Sequence, residues 1–249
     1  MQLDIDGLSV HAEQMGEGSD VVLLHGWGYA SDLLMPLAKK LSAKHRVTLI
    51  DLPGHGATDE PEQAYCIEDF ARVVAGTLEA LGIKKAHFAG HSNGGRTIIA
   101  LSRNHADIMD RIALMDASGI RPKRGLRYYF KVYSYKLGKK ILSLPFFSDE
   151  ARKKYTQGKG SADYKVLSDV MKATFSRIVN EDLTPQLAKI KSPTILIWGE
   201  NDADTPLYMG KIMEKQIPDS ALILYEGKGH YAFAEDLNKT AAVLGSFFN

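Results

Sequence analysis

The sequence predicts an α/β protein with a mostly parallel sheet flanked by helices, and with a helical insertion near the middle of the chain. Short apolar runs without alternation, typical of strands buried on both faces, recur along the chain. Amphipathic segments of about a dozen residues separate these runs, as expected when helices cover both faces of a parallel sheet. The length of 249 residues fits one large α/β domain, or a core with a modest insertion.

The first half of the chain begins with a predicted hairpin and continues as alternating strands and helices. "LDIDGLSVHAEQMG" has two strand-like segments around Asp6–Gly7, a favourable hairpin turn. Ser31 can cap the first predicted helix, and Gly82 can end the second. The predicted elements are the strand "VVLLHGWG", the helix "SDLLMPLAKKLS", the strand "HRVTLIDLPGHG", the helix "IEDFARVVAGTLEALG", the strand "KAHFAG", the helix "GGRTIIALSRNHA" and the strand "RIALMDAS".

A basic segment interrupts this alternation. Between Gly119 and Lys165 there are 13 Lys or Arg and three acids, a net charge of +10 that leaves −9 for the rest of a chain whose total is +1. We therefore predict a core domain of residues 1–118 and 186–249, with a helical, basic insertion at 119–185. The alternation resumes with the strand "PTILIWGE", the helix "LYMGKIMEKQIP", the strand "ALILYEGKGH" and the helix "DLNKTAAVLGSFF".

The composition excludes several classes of protein. Hydrophobic residues make up 45% and charged residues 24% of the chain, as in ordinary globular proteins, and no apolar run is long enough to span a bilayer. The single cysteine, Cys66, excludes an internal disulfide and suits a reducing cytoplasm, and no signal-peptide pattern is present. Without metal-ligand spacings or phosphate-binding glycine loops, we expect no cofactor, no metal and no nucleic-acid partner.

The stretch "AGHSNGG", residues 89–95, places a serine in a G-x-S-x-G pattern between a predicted strand and a predicted helix. In an open parallel sheet, reactive groups lie beyond the carboxyl ends of the strands. The "HGWG" stretch at 25–28, Ser92, Asp202 and His230 all follow predicted strands. We expect these groups to meet at one edge of the sheet.

Five sequence blocks resemble the α/β-hydrolase family, in its cap-bearing serine hydrolase and carboxylesterase branch. The resemblance covers nearly the whole chain and is weakest in the 119–185 insertion. It implies a nucleophile, acid and base in the chain order Ser…Asp…His, without a cofactor. The blocks, which occur in the family's order, are "VVLLHGWG", "DLPGHG", "AGHSNGG", "ILIWGENDADTP" and "GKGHYAF".

With that order, Ser92 is the nucleophile and His230 the base, since a serine hydroxyl needs a neighbouring base to take its proton. His105 also follows Ser92, but 13 residues along the same predicted helix it lies about 20 Å away. Asp202 matches the family's spacing for the acid. Asp204, which can also be a turn residue or helix cap, and Asp116, which follows the preceding strand, remain alternatives.

An ester-cleaving site also needs hydrogen-bond donors for the oxyanion. The residue after the nucleophile supplies one backbone N–H, here Asn93, and the resemblance assigns the second to Trp27. His25 is expected to fix the oxyanion loop by hydrogen bonding, and His91 to pack behind Ser92. Glycine is expected at positions 90 and 94 because the turn brings strand and helix too close together for a larger side chain.

Within the insertion, an apolar stripe recurs at steps of three and four, and Arg124, Arg127 and Lys131 lie off it. This pattern predicts an amphipathic helix acting as a cap over the site. Its charge fits a solvated face, a membrane surface, or an acidic partner such as acyl carrier protein, a coenzyme A thioester or an anionic small molecule. The combination of this basic insertion with the "HGWG" stretch is similar to that of pimeloyl-carrier-protein methyl esterases. The stripe consists of Leu126, Phe130, Tyr133, Leu137, Ile141 and Leu144.

The sequence thus predicts a cytoplasmic serine hydrolase that cleaves carboxylic esters of small or medium acyl or aromatic substrates through an acyl-enzyme. Two alternatives remain open. One is hydrolysis of a carbon–carbon bond in a vinylogous diketone with the same three residues, and the other is a ligand receptor with little turnover. The G-x-S-x-G turn carries serine at position 92 rather than aspartate, so dehalogenase and epoxide hydrolase activities are not predicted.

Overall fold

The computed structural model describes residues 1–122, Ser134 and residues 166–249, and its described strands form one eight-stranded sheet. The strand order is β1-β2-β4-β3-β5-β6-β7-β8; the β1–β2 and β2–β4 pairs are antiparallel and the others parallel. The predicted fold class is confirmed. The strands are β1 (Gln2–Ile5), β2 (Leu8–Met15), β3 (Ser19–Leu24), β4 (His45–Ile50), β5 (Ala86–His91), β6 (Met109–Met115), β7 (Thr194–Gly199) and β8 (Ser220–Tyr225).

Helices within the described ranges lie between these strands and after the last one. None of them is both long enough and apolar enough to cross a membrane. They are α1 (Met35–Leu41), α2 (Ile67–Ala80), α3 (Asn93–Leu101), α4 (Asp169–Asn180), α5 (Thr184–Leu187), α6 (Tyr208–Gln216), α7 (Ala232–Glu235) and α8 (Leu237–Phe247).

The core has two parts because the central strands are buried on both faces, as their uninterrupted apolar runs predict. In β3, Val22 and Leu24 belong to one cluster, which contains residues of α2 to α6. Val21 and Leu23 belong to the other cluster, which contains residues of α1, α7 and α8. Alternate side chains of a strand point to opposite faces, so one six-residue strand contributes to both layers.

Contacts divide the chain into two compact units, one of Met1–Arg121 with Asp169–Asn249 and one of Pro122–Ser168. The predicted boundaries of the insertion, 119 and 185, remain a prediction. The apolar stripe and the three basic residues predicted beside it lie outside the described residues.

Two local predictions differ from the structure. Helix α3 ends at Leu101, and His105 lies in the loop before a 3-10 turn at Ala106–Ile108, near the start of β6. This places His105 at the amino edge of the sheet, opposite the edge that follows β5. Ser31 does not cap α1, because its hydroxyl donates to Asp51 Oδ1 at 2.5 Å and the chain forms a 3-10 turn before α1 begins.

Candidate active site

Ser92 occupies a strained turn between β5 and α3. Its backbone has φ 50° and ψ −109°, a conformation that non-glycine residues adopt only when the surrounding structure imposes it. The neighbouring glycines allow the close approach: a Cβ on Gly94 would lie 2.1 Å from the Leu24 carbonyl oxygen, and one on Gly90 would lie 2.5 Å from the Gly94 carbonyl carbon. The turn therefore places the serine between a strand end and a helix N-terminus, as the sequence pattern predicts.

His230 and Asp202 are joined by a hydrogen bond. His230 Nδ1 lies 2.9 Å from Asp202 Oδ2, and the Asp202 side chain is fully buried. Asp202 Oδ1 accepts from the backbone N–H groups of Asp204 and Thr205, at 2.8 and 2.9 Å, so the carboxylate has a fixed orientation. Among the described residues, the carboxyl group that bonds the His230 ring is that of Asp202 and not that of Asp204.

The environment favours opposite charges on this pair. Burial raises the pKa of the Asp202 carboxyl, but hydrogen bonds from His230 and Thr205 outweigh it, and the net shift of the pKa is downward. Burial lowers the pKa of the His230 imidazole, but the hydrogen bond and negative charge of Asp202 outweigh it, and the net shift of this pKa is upward. An ionised Asp202 accepts a hydrogen bond from His230 Nδ1–H, which leaves Nε2 of the neutral ring as a base.

Thr205 is a site residue that the sequence reasoning missed. Its Oγ1 lies 2.6 Å from Asp202 Oδ2, 2.9 Å from the Asp116 carbonyl oxygen and 3.3 Å from His230 Nδ1. Threonine after an aspartate-rich turn is common, so the sequence carries no signal for this contact. Asp116 itself is fully buried beside the pair, although its carboxyl bonds backbone N–H groups rather than His230.

His91 connects the serine turn to the segment that carries His230. The two imidazole rings are 4.8 Å apart, and His91 Nε2 donates to the His230 carbonyl oxygen at 2.8 Å. Burial and the neighbouring His230 lower the pKa of His91 to about 3, so this ring is neutral at ordinary pH. These contacts join His91 to the His230 segment, and its packing behind Ser92 stays a prediction.

The loop at residues 25–28 lies against the serine turn. A Cβ on Gly26 would come within 2.9 Å of His91 Nδ1 and 3.3 Å of Ser92 Cβ. His25 holds this loop, since its Nδ1 donates to the Gly26 carbonyl oxygen at 2.8 Å and its Nε2 accepts from the Leu52 N–H at 2.9 Å. Burial and the nearby His55 lower the pKa of His25 to about 4, which keeps the ring neutral for these two bonds.

Trp27 follows Gly26 in this loop, and Asn93 is the first residue of α3. Within the described ranges, neither backbone N–H has a hydrogen-bond partner. The first N–H groups of a helix have no partner within it and carry partial positive charge, so the start of α3 favours an anion. The Trp27 ring packs against His55 and Phe175, with ring centroids 4.7 and 5.0 Å away.

The side chains of Asp202, Asp204 and His230 are of types that bind metal ions. Ligand atoms of Asp202, Asp204 and His230 lie within 4.8 Å of one another. However, both oxygens of Asp202 already accept hydrogen bonds, from His230 and from residues 204 and 205. These donors fit a carboxylate that orients an imidazole better than one that binds a cation.

Comparisons with known proteins indicate the α/β-hydrolase fold. A family model described as α/β hydrolase fold matches residues 21–139, and one described as TAP-like protein matches residues 174–245. The chain is 28% identical to a 2-hydroxy-6-oxo-6-phenylhexa-2,4-dienoate hydrolase of Comamonas testosteroni, over 96% of this chain and 91% of that protein. It is 26% identical to a pimeloyl-[acyl-carrier protein] methyl ester esterase of Nitrosomonas europaea, over 90% of this chain and 94% of that protein.

Solved structures show the same fold. An esterase from Exiguobacterium antarcticum is similar with a TM-score of 0.78 and 22% sequence identity, over 99% of this chain and 98% of that chain.

Proposed function

Because the chain belongs to the α/β-hydrolase fold family, we propose that it is a serine hydrolase that cleaves carboxylic esters through an acyl-enzyme. The observation that carries the proposal is the 2.9 Å hydrogen bond between His230 Nδ1 and Asp202 Oδ2, in a segment that His91 ties to the strained turn of Ser92. The substrates proposed are esters of small or medium acyl groups or of aromatic acids.

Acylation begins with the Ser92 hydroxyl. His230 Nε2 takes its proton while Oγ attacks the ester carbonyl carbon, and Asp202 stabilises the imidazolium that forms. The carbonyl oxygen becomes an oxyanion, which accepts hydrogen bonds from the backbone N–H groups of Trp27 and Asn93. As the tetrahedral intermediate collapses, the C–O bond to the leaving group breaks and His230 gives its proton to the departing alkoxide.

Deacylation uses the same groups with water as the nucleophile. His230 Nε2 removes a proton from a water molecule, whose oxygen attacks the acyl carbon of the Ser92 ester. The oxyanion again accepts from Trp27 and Asn93; as this intermediate collapses, the bond from the acyl carbon to Ser92 Oγ breaks and His230 gives its proton to that oxygen. The products are a carboxylic acid and the free enzyme.

Turnover of p-nitrophenyl esters of increasing chain length tests this proposal. Ser92→Ala and His230→Ala should each lower kcat by about 10⁴-fold while the far-UV circular dichroism stays unchanged. Ser246→Ala, in the exposed part of α8, and His105→Ala, at the opposite edge of the sheet, serve as matched controls that should retain wild-type activity. If either Ser92→Ala or His230→Ala retained more than about a tenth of wild-type kcat, these residue roles would be wrong.

A second candidate is hydrolysis of a carbon–carbon bond in a vinylogous diketone by the same residues. It is favoured by the 28% identity to the dienoate hydrolase of Comamonas testosteroni. A ring-cleavage diketone included in the ester panel distinguishes the two, since the preferred substrate has the higher kcat/KM. A third possibility, a receptor with little turnover, would be indicated by failure of a fluorophosphonate to label Ser92.

A further inference from the structure

Asp116 follows β6 and bonds the segments that carry both Asp202 and His230. Its side chain is fully buried, and its Oδ1 accepts from the Gly199 N–H at 2.7 Å, where β7 ends and the loop to Asp202 begins. Its Oδ2 accepts from the Ala232 N–H at 3.2 Å, two residues after His230. One carboxyl group therefore spans the two segments whose side chains form the proposed acid–base pair.

The backbone of Asp116 is held equally firmly. Its carbonyl oxygen lies 2.9 Å from Thr205 Oγ1, and that hydroxyl is also 2.6 Å from Asp202 Oδ2. Asp116 has φ 44°, and within the described ranges only Asp6, in the first hairpin, and Ser92 are other non-glycine residues with positive φ. Strain of this kind persists where surrounding contacts fix the backbone, and it is concentrated at functional sites.

We propose that Asp116 is a positioning residue that holds the Asp202 and His230 segments together, so that their hydrogen bond is formed before substrate binds. The inference rests on the proposed roles of Asp202 and His230. Without this carboxyl, two buried N–H groups lose their acceptor and the two segments can separate. A base misplaced by a fraction of an ångström transfers a proton less often, so the cost appears in kcat rather than in KM.

The charge of Asp116 adds a second effect on the pair. The pKa of Asp116 is raised to about 8, mainly by burial and further by the negative charge of Asp202. Backbone hydrogen bonds and the charge of His230 lower this pKa, but by less. Burial is the main cause that raises the pKa of Tyr225, at the end of β8, and the charge of Asp116 adds to that increase. At neutral pH most molecules carry a proton on Asp116, and ionisation near pH 8 adds negative charge beside His230, which raises the pKa of that ring.

The test compares Asp116→Asn with Asp110→Asn, which alters a half-exposed aspartate that pairs with Lys85 and lies on β6, the strand that Asp116 follows. An asparagine offers one acceptor where Asp116 offers two, so one N–H faces an NH₂ group. We expect kcat for p-nitrophenyl butyrate to fall about tenfold, with KM changed less than about twofold, in Asp116→Asn only. We also expect the His230 signals, followed by NMR of ¹⁵N-labelled histidines and assigned with His230→Ala, to lose an inflection near pH 8 in Asp116→Asn only.

A His230 titration that keeps this inflection, together with unchanged kcat in folded Asp116→Asn, would overturn the inference. If that variant does not fold, titration of the wild-type protein decides instead: a second inflection of the His230 signals near pH 8 supports the coupling, and a single-step titration contradicts it. Because the NMR titration needs no turnover, an inert wild-type protein would overturn the proposed function, and the titration would still test this inference.

Discussion

At the scale of single residues, the charge of His230 decides when the proposed mechanism can operate. The pKa of His230 is raised above 6.5 despite burial, because Asp202 accepts a hydrogen bond from Nδ1–H and supplies a negative charge. A protonated ring cannot accept the serine proton, so kcat/KM for a neutral ester should fall as pH decreases through the raised pKa. We expect the midpoint of this acid limb above pH 6.5.

Asp202→Asn tests the origin of that shift. An amide cannot hold the Nδ1 proton as a carboxylate does, so kcat should fall by about 10³-fold or more and the acid limb should move to lower pH. Asp204→Asn is the matched control and should leave kcat within about threefold of wild type, since its side chain does not bond His230. A larger loss in Asp204→Asn than in Asp202→Asn would contradict the pairing.

Chain order and spacing could predict that Asp202 pairs with His230, because the two follow neighbouring strands and each has a recognisable block around it. The same reasoning could not rank Asp116 or find Thr205. The bonds of Asp116 join it to residues 83 and 116 positions further along the chain, and only the packing of β6, β7 and α7 brings them together. The sequence therefore predicted Asp116 as an alternative acid and gave no sign that it bonds two separate segments.

At the scale of elements, Arg96 links α3 to α4. It is 3% exposed, and its Nη1 donates to the carbonyl oxygens of Ile178 at 2.5 Å and Glu181 at 2.9 Å, at the carboxyl end of α4. Its Nε donates to Ser118 Oγ at 3.2 Å. Burial lowers the pKa of this guanidinium to about 10, so it stays charged at neutral pH and satisfies carbonyls that end a helix.

Replacing Arg96 should therefore destabilise the protein. Arg96→Met removes the buried guanidinium donor from both carbonyl groups and leaves Ile178 only the N–H of Glu181, and we expect the free energy of unfolding to decrease by about 2–4 kcal/mol in urea titrations. Arg103→Met, two positions beyond the end of α3, removes an exposed pair with Glu68 and should cost less than about 1 kcal/mol. Equal losses in the two variants would show that the buried contacts of Arg96 add little.

Periodicity predicted the order and type of the strands and of helices α1, α2, α3, α6 and α8, but not all the ends of these elements. After Leu101 the N–H groups of residues 103 and 104 bond to carbonyls three positions back, so the helix closes as a tight turn before His105. At Ser31, a hydrogen bond to the buried carboxylate of Asp51 replaces the expected helix cap. Both ends depend on contacts that local pattern does not encode.

At the scale of the whole molecule, the net charge of +10 between residues 119 and 165 contrasts with −9 elsewhere. If this segment attracts an acidic or carrier-bound acyl substrate, the triple change of Arg124, Arg127 and Lys131 to Glu should lower kcat/KM for an acidic ester several-fold. Charge steering is screened over about 10 Å at 0.1 M salt, so the loss should shrink as salt is added. A small neutral ester should be hydrolysed as before.

A matched control makes the same change of −6 in charge elsewhere. Lys39, Lys40 and Lys44 are exposed on and after α1, before the start of β4 and at the edge of the sheet opposite Ser92. Their replacement by Glu should leave kcat/KM for the acidic ester nearly unchanged. Equal losses in both triple variants would indicate an effect of total charge, and no loss in either would leave the basic segment as a solvated surface.

Trapping the acyl-enzyme is the most direct test of the proposed chemistry. The protein is mixed briefly with a p-nitrophenyl ester, quenched in acid, digested and analysed by mass spectrometry. The account predicts an acyl group on the peptide that contains Ser92, absent in Ser92→Ala and formed far more slowly in His230→Ala. An acyl group on another residue, or ester turnover that persists in Ser92→Ala, would contradict it.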